Sequence, residues 1–195
     1  MVDVSVLLFA YILGLFPSAY IYSKVLKNVD VRHTGTGNVG TMNTVVNIGV
    51  LPGILTLITD AGKGFLVVYL SMRYARVDII PILALFFLIL AHNYNPLLDF
   101  RGGKGFGNLA GGLLLLSPIT IPTMIAFTIV LLIHFKIPRV TAGVAVLFFP
   151  IIVYFQTHDA TLLLGIIPIT LTIFFKHIHD FKEYIAEWHS PESLS

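Results

Sequence analysis

Residues 106–135 read FGNLAGGLLLLSPITIPTMIAFTIVLLIHF, and the number of times this stretch crosses a bilayer decides the fold. A spanning helix takes about 20 apolar residues, within a range of roughly 17–25. The stretch is too long for one such helix and short for two. Ser117-Pro118 and Pro122 interrupt it, and proline removes a backbone donor and clashes with the preceding turn. Two short helices meeting at residues 118–122 are therefore expected.

The chain on either side has the same character. Of its 195 residues, 56% are hydrophobic and 11% charged, with a mean hydropathy of +0.90; soluble domains average about 45–50% apolar and about 25% charged. Residues 1–195 are read as one integral membrane domain. Residues 4–23, 51–72 and 79–98 predict three spans before the central stretch, and 140–155 and 160–175 two short ones after it. The expected fold class is an all-α polytopic membrane protein with seven transmembrane helices. The leader Met1-Val2-Asp3 lacks the basic start of a signal peptide, so the first span is read as retained.

Seven crossings gather Lys24, Lys27, Arg32, Arg101, Lys104, Lys136, Arg139, Lys176 and Lys182 on one side, with Arg73 and Arg76 opposite. Lys and Arg concentrate in cytoplasmic loops. The expectation is an N-terminus outside, a cytoplasmic C-terminus, and a multi-pass protein of the cell (inner or plasma) membrane with its active site on the cytoplasmic face. Residues 180–195 predict a polar cytoplasmic tail whose Ser190-Pro191-Glu192-Ser193 end is disordered. The net charge of +2 is small and scattered, which argues against a nucleic-acid partner. The absence of cysteine excludes thiol chemistry and Cys-ligated metals.

Two glycine-rich runs lie between apolar segments: Arg32-His33-Thr34-Gly35-Thr36-Gly37-Asn38-Val39-Gly40 and Phe100-Arg101-Gly102-Gly103-Lys104-Gly105-Phe106. Glycine lets backbone N–H groups approach a ligand closely, and a neighbouring cation favours phosphate oxygens. The first run matches the dinucleotide pattern G-x-G-x-x-G, with Asp60 about 20 residues on. That pattern requires a preceding strand, and here it follows a membrane helix. The second run lacks the early glycine and the following Ser or Thr of a Walker A loop, so ATP hydrolysis is not expected. Each run could also be a simple membrane-surface turn.

Asp60 and Lys63 stand three apart inside a predicted span, hence on one helix face. Intramembrane charges mark either a functional site or a structural pair. His92 ends the third span, and His177 and His179 the seventh, two apart and so on different faces; a metal site is not expected. The His-plus-five-Asp pair used by many acyltransferases is absent, because the residues five beyond each histidine are Asn38, Leu97, Arg139, Leu163, Lys182, Tyr184 and Leu194. There is no G-x-S-x-G elbow. Acyl transfer here would need an already activated donor and no cofactor.

Gly14-Leu15-Phe16-Pro17-Ser18-Ala19-Tyr20, Val29-Asp30-Val31-Arg32, residues 35–43, Asp60-Ala61-Gly62-Lys63-Gly64, His92, residues 100–105 and the His177 region together resemble the acyl-phosphate-dependent glycerol-3-phosphate acyltransferases of bacteria. The resemblance runs in register over most of the chain. It implies a seven-helix inner-membrane enzyme that transfers an acyl group from acyl phosphate to the 1-hydroxyl of glycerol 3-phosphate, giving lysophosphatidic acid and phosphate. On that basis Thr36, Lys104 and His177 are the expected catalytic residues. Arg32, Gly35, Gly37, Asn38, Asn43, Arg101, Gly102, Gly103 and Asp180 are the expected substrate-binding ones. Asp60, Lys63 and His92 are left between site and scaffold. The expected partners are the bilayer, acyl phosphate and glycerol 3-phosphate.

The chain departs from the family pattern at four positions. Thr36 stands where Ser is usual, Val46 where an Arg aligns, and Asp180 and Glu183 replace the Asn and Arg of the tail motif. A different acceptor, or a transporter or lipid-binding protein gated by Asp60 and Lys63, are the rival readings. A transporter often carries two related halves, and no internal repeat is visible.

Overall fold

The computed structural model describes residues 1–188 as helices joined by short loops. In chain order the helices are α1 (Val2–Gly14), α2 (Ser18–Lys27), α3 (Thr41–Asn47), α4 (Val50–Tyr74), α5 (Ile80–Asn93), α6 (Phe106–Leu116), α7 (Thr120–Phe135), α8 (Pro138–Leu147), α9 (Phe149–Thr157) and α10 (Ala160–Trp188). Among the described residues, four segments are long and apolar enough to cross a membrane: Val2–Lys27 taken across its break, Val50–Tyr74, Ile80–Leu98 and Ala160–Ala186. The bent pair of α8 and α9, angled by 40°, makes a fifth if taken as one span.

The central stretch breaks as its prolines require. Helix α6 ends at Leu116 and α7 begins at Thr120, so the break falls at the first proline and Pro122 lies inside the opening turn of α7. At about 1.5 Å per residue their 11 and 16 residues are each shorter than a hydrocarbon core of about 30 Å. Their turn lies at one end of the bundle. Thr120 Oγ1 is 2.7 Å from Gln156 Oε1, Gln156 Nε2 donates to Thr123 Oγ1 at 2.7 Å, and Leu116 lines a cavity with Asp78, Asp159 and Thr161. The Arg76 N–H donates to Asp3 Oδ1 at 2.8 Å at this same end. The glycine loops and the last turns of α10 occupy the other end.

Three boundaries differ from those the hydropathy suggests. The first span is two helices, broken at residues 15–17 where Pro17 cannot donate. The span read over 140–155 bends at Phe148, next to Pro150. The last helix runs to Trp188 and includes most of the residues expected as a polar tail. His177 and His179 therefore lie within α10 and do not close it. The Ser190–Ser193 segment lies outside the described residues.

Helix α5 is apolar on every face and sits at the centre, as such a helix must. Its Leu85, Leu88 and Ile89 pack with Val67 and Val68 of α4 and with Ile166, Ile169 and Ile173 of α10, all fully buried. Outward-facing Leu8, Ile12, Ile58, Val130, Ile133 and Leu164 are exposed, a surface suited to lipid. Helices α4 and α6 meet through small residues. A Cβ on Gly64 would strike the Asn108 carbonyl, one on Gly111 the Ala61 carbonyl, and one on Gly107 would lie 3.0 Å from Asp60 Cβ. Close backbone approach through small residues is the usual means of helix association in lipid.

Gly64→Ala should therefore destabilise the protein by about 1–3 kcal/mol. Gly62→Ala, where an added Cβ meets nothing within 4 Å, should leave thermal unfolding in detergent unchanged or raise its midpoint.

Candidate active site

The first glycine loop is built around one amide. Asn43, buried at the start of α3, donates from Nδ2 to the carbonyls of Thr34 (3.0 Å), Asn38 (3.0 Å) and Val31 (3.4 Å). Its Oδ1 accepts from the Thr36 N–H at 3.1 Å and from Asn47 Nδ2 at 2.9 Å. The loop folds round it because Gly35 and Gly37 take φ of +52° and +68°, a region that costs other residues strain. Thr36 stands exposed at the tip, with its hydroxyl 3.4 Å from the Asn38 N–H. Asn43 thus clasps the loop, while Thr36 and Asn38 present side chains along its rim.

Arg32 ties this loop to the second. Asp30 caps the turn that carries it, accepting from the Arg32 N–H at 3.0 Å. The guanidinium donates to Asp30 at 2.8 and 3.1 Å and to Asp99 Oδ2 at 3.1 Å, and lies 5.3 Å from the centre of the Tyr20 ring. The Arg32 hydrogen bond holds the Asp30 carboxyl below the ordinary carboxylate range, and Asp30 raises the guanidinium in return. Arg101, by contrast, is exposed.

The second loop leaves α5 through Asn95, whose Oδ1 accepts from the Leu97 N–H at 2.9 Å and whose Nδ2 donates to the Leu15 carbonyl at 2.8 Å. Asp99 and Phe100 both hold positive φ, +52° and +61°, a conformation that needs support from its surroundings. That support comes from Arg32 on Asp99 and from Lys176 Nζ on the Phe100 carbonyl at 3.3 Å. Gly102 then lies against the His92 carbonyl, and Gly103 is pressed between the His92 ring and the Val39 carbonyl, where a Cβ would clash on both sides. Asn93 Nδ2 donates to the Lys104 carbonyl at 3.3 Å, and Gly105, at φ +83°, opens α6.

Beneath this seat lies a buried charge cluster. Asp60 Oδ1 accepts from Ser18 Oγ at 2.5 Å and from Lys63 Nζ at 2.8 Å, and stands 4.0 Å from His92 Nδ1. Lys63 also donates to the Phe16 carbonyl at 3.0 Å. The pair read three apart on one face is an ion pair supporting the histidine that bears on Gly103.

Above the seat, Lys104 Nζ is bonded to Asp180 of α10. His177, one turn earlier, is fully buried, with Nε2 4.0 Å from Asp180 Oδ2. Gly143 of α8 lets α10 approach, since a Cβ there would lie 3.0 Å from His177 Cβ. His179 faces away, exposed and paired with Glu183 at 3.0 Å. Beside His177, its ring centroid 5.6 Å off, Phe106 begins an apolar cavity of about 530 Å³. Leu109 and Leu113 of α6, Met124 and Leu132 of α7, and Phe149 of α9 form its walls.

The structure thus brings Lys104, Asp180 and His177 together, sets Asp60, Lys63 and His92 below them, and joins the two glycine loops at Val39 and Gly103 and at Arg32 and Asp99. Residue patterns alone missed Asp99, Ser18, Asn93 and Asn95. The run His92-Asn93-Tyr94-Asn95 was the available signal, because four adjacent polar side chains at a span end point to backbone that needs partners.

A family model described as glycerol-3-phosphate acyltransferase matches residues 4–187. The chain belongs to the glycerol-3-phosphate acyltransferase family. Glycerol-3-phosphate acyltransferase 2 of Dehalococcoides mccartyi (strain ATCC BAA-2266 / KCTC 15142 / 195) is 35% identical over 172 residues, 86% of this chain and 82% of that one. Glycerol-3-phosphate acyltransferase of Bacillus subtilis (strain 168) is 31% identical over 179 residues, 92% of each. The crystal structure of PlsY (YgiH), an integral membrane glycerol 3-phosphate acyltransferase, in its glycerol 3-phosphate form, superposes with a TM-score of 0.84 at 22% identity, over 95% of this chain and 92% of that one. The fold of this acyltransferase is therefore the fold of that enzyme.

The Arg32 clamp has a definite pH dependence. A carboxylate whose value is lowered on folding adds stability above its unfolded value and loses it as pH falls through the folded one. Limited proteolysis of residues 34–40 should be slow at neutral pH and accelerate only below about pH 4. Arg32→Ala should make the loop labile already at neutral pH, and Asp99→Asn, at an exposed partner, should do so more weakly.

Proposed function

We propose that this acyltransferase moves an acyl group from acyl phosphate to the 1-hydroxyl of glycerol 3-phosphate, releasing phosphate and lysophosphatidic acid. The observation that carries the reading is the position of Lys104. It stands in a glycine-lined loop just ahead of the N-terminus of α6, two residues before Phe106, which lines the apolar cavity. A helix N-terminus has backbone N–H groups without intrahelical acceptors and favours anions. A phosphate on Lys104 and the Gly102-Gly103 backbone would direct an attached acyl chain along Phe106 into the cavity. The relatives carry the acyltransferase name, and PlsY has been solved in glycerol 3-phosphate and lysophosphatidic acid forms. Thr36 and Asn38, on the rim of the first loop, orient the acceptor. Arg32 holds the two loops in register, and Arg101 adds positive charge at the entrance.

The reaction joins a water-soluble acceptor to a lipid-soluble donor, so the site belongs at a membrane surface. Seven crossings, with the glycine loops and C-terminus cytoplasmic and the N-terminus outside, fit the clustering of Lys and Arg at the glycine-loop end. The out-and-back path of α6 and α7 supports the same count, with α8 and α9 taken as one span. Attack on an already activated carbonyl depends chiefly on proximity and charge stabilisation.

Purified protein should release phosphate from palmitoyl phosphate when glycerol 3-phosphate is present, and the lipid product should be lysophosphatidic acid. Lys104→Ala should lower kcat/KM by about a hundredfold or more, as expected on losing a charged hydrogen bond to a transferring phosphate. Thr36→Ser should be tolerated, whereas Thr36→Ala should cost about tenfold to a hundredfold, at 1.4 kcal/mol per decade. Wild-type protein that forms no lysophosphatidic acid would overturn the assignment.

A further inference from the structure

The apolar cavity that begins at Phe106 has a length and a stop. Phe106, Leu132 and Ala142 line it toward the glycine-loop end. On α7 its wall runs from Leu132 to Ile121, eleven residues of helix, or about 16 Å. Ala110 and Ala145 leave its middle wide. Thr128 is the polar exception among the described lining residues, and its hydroxyl donates to the Met124 carbonyl at 2.7 Å. Such a wall suits an alkyl chain and penalises a polar one. The far end is closed in two ways. Phe149, just past the bend at Phe148, is 1% exposed and belongs to the same core as Leu113 and Val153. Ile121 adjoins Thr120, whose Oγ1 lies 2.7 Å from both Ser117 Oγ and Gln156 Oε1. Gln156 Nε2 in turn donates to Thr123 Oγ1 at 2.7 Å. These groups satisfy one another, and an alkyl chain driven among them would break hydrogen bonds that it cannot replace.

We infer that Ile121 and Phe149, backed by this polar layer, set the longest acyl chain that the enzyme uses. The inference rests on the acyl-transfer reading above. A methylene advances an extended chain by about 1.25 Å, from C–C bonds of about 1.5 Å at about 111°. The run of about 16 Å along α7 therefore takes about 13 methylenes. With the carbonyl and its nearest carbons lying between Lys104 and Phe106, donors of about 14–16 carbons fill the cavity. Up to that length each added methylene buries more apolar surface and strengthens binding. Beyond it the excess must fold back or displace core side chains, which a packed interior resists. The competing account has the chain leave the cavity sideways into the bilayer, so that its end is never measured.

The test uses the full chain in detergent with glycerol 3-phosphate and a series of octanoyl, palmitoyl and eicosanoyl phosphates. In the wild type, kcat/KM for eicosanoyl phosphate should be at least about tenfold below that for palmitoyl phosphate, the discrimination a filled apolar pocket shows against extra methylenes. Phe149→Ala and Ile121→Ala each lengthen the cavity and should raise the eicosanoyl-to-palmitoyl ratio about tenfold. Ala110→Phe places a ring four residues beyond Phe106, about 6 Å along α6. It should lower kcat/KM for palmitoyl phosphate about tenfold or more and leave octanoyl phosphate within about threefold. Octanoyl turnover reports that each variant is folded, and if Phe149→Ala does not fold, Ile121→Ala carries the comparison. Eicosanoyl phosphate used as well as palmitoyl by the wild type, or one chain-length profile shared by the wild type and all the folded variants, overturns the inference in favour of the sideways path. Wild-type turnover in those cases leaves the acyl-transfer reading standing. Absent wild-type turnover with every donor overturns that reading, and this inference with it.

Discussion

The contact of Gly102 and Gly103 with His92 and Val39 is the one on which the rest of the site depends. Irregular backbone is tolerated among membrane helices only where protein surrounds it or where it lines a cavity. The loop meets that demand by lying flat on the end of α5, where any side chain at 102 or 103 would collide. Lys104 then emerges at a fixed height beside α10, and Phe106 starts α6 along the cavity wall. The first glycine loop is carried into place by the same contact, through Val39.

Charge is distributed in layers about this seat. The innermost layer, Asp60 with Lys63 and Ser18, is buried and satisfied by short hydrogen bonds. Breaking one partner of a buried pair strands the other and costs several kcal/mol, about 3–5, so this layer favours rigidity over chemistry. The outer layer, Arg32 with Asp30 and Asp99, is partly solvent-exposed and contributes less stability than register. Between them stands the pair of Lys104 and Asp180, beside His177. Of the three, this pair is the one that joins the second glycine loop to α10.

Much of this was legible in the order of residues. The bilayer imposes a length rule and proline imposes breaks, so the membrane class and the turn between α6 and α7 followed from hydropathy and from Pro118. The i,i+3 spacing of Asp60 and Lys63 implied a shared face, and the two-residue spacing of His177 and His179 implied different faces, of which the fold buries one and exposes the other. The glycines around Lys104 announced a close backbone approach, and the combined motifs announced the family. These are local properties, set by helix geometry and by the lack of a Cβ.

What approaches the glycines is a non-local property, and only the tertiary structure decided it. Nothing in the chain order indicates that His92 underlies Gly103, that Arg32 reaches Asp99 across 67 positions, or that Asp180 meets Lys104 across 76. Asn43 could equally have faced a substrate. Its five hydrogen bonds within the loop and to Asn47 follow from the fold of residues 31–47. Helix continuity was also decided by packing. The polar residues after Asp180 stay helical through Trp188, because backbone hydrogen bonds can extend a docked helix beyond its apolar length. Residue types specify which groups need partners; the packing of α4, α5, α6 and α10 selects the partners.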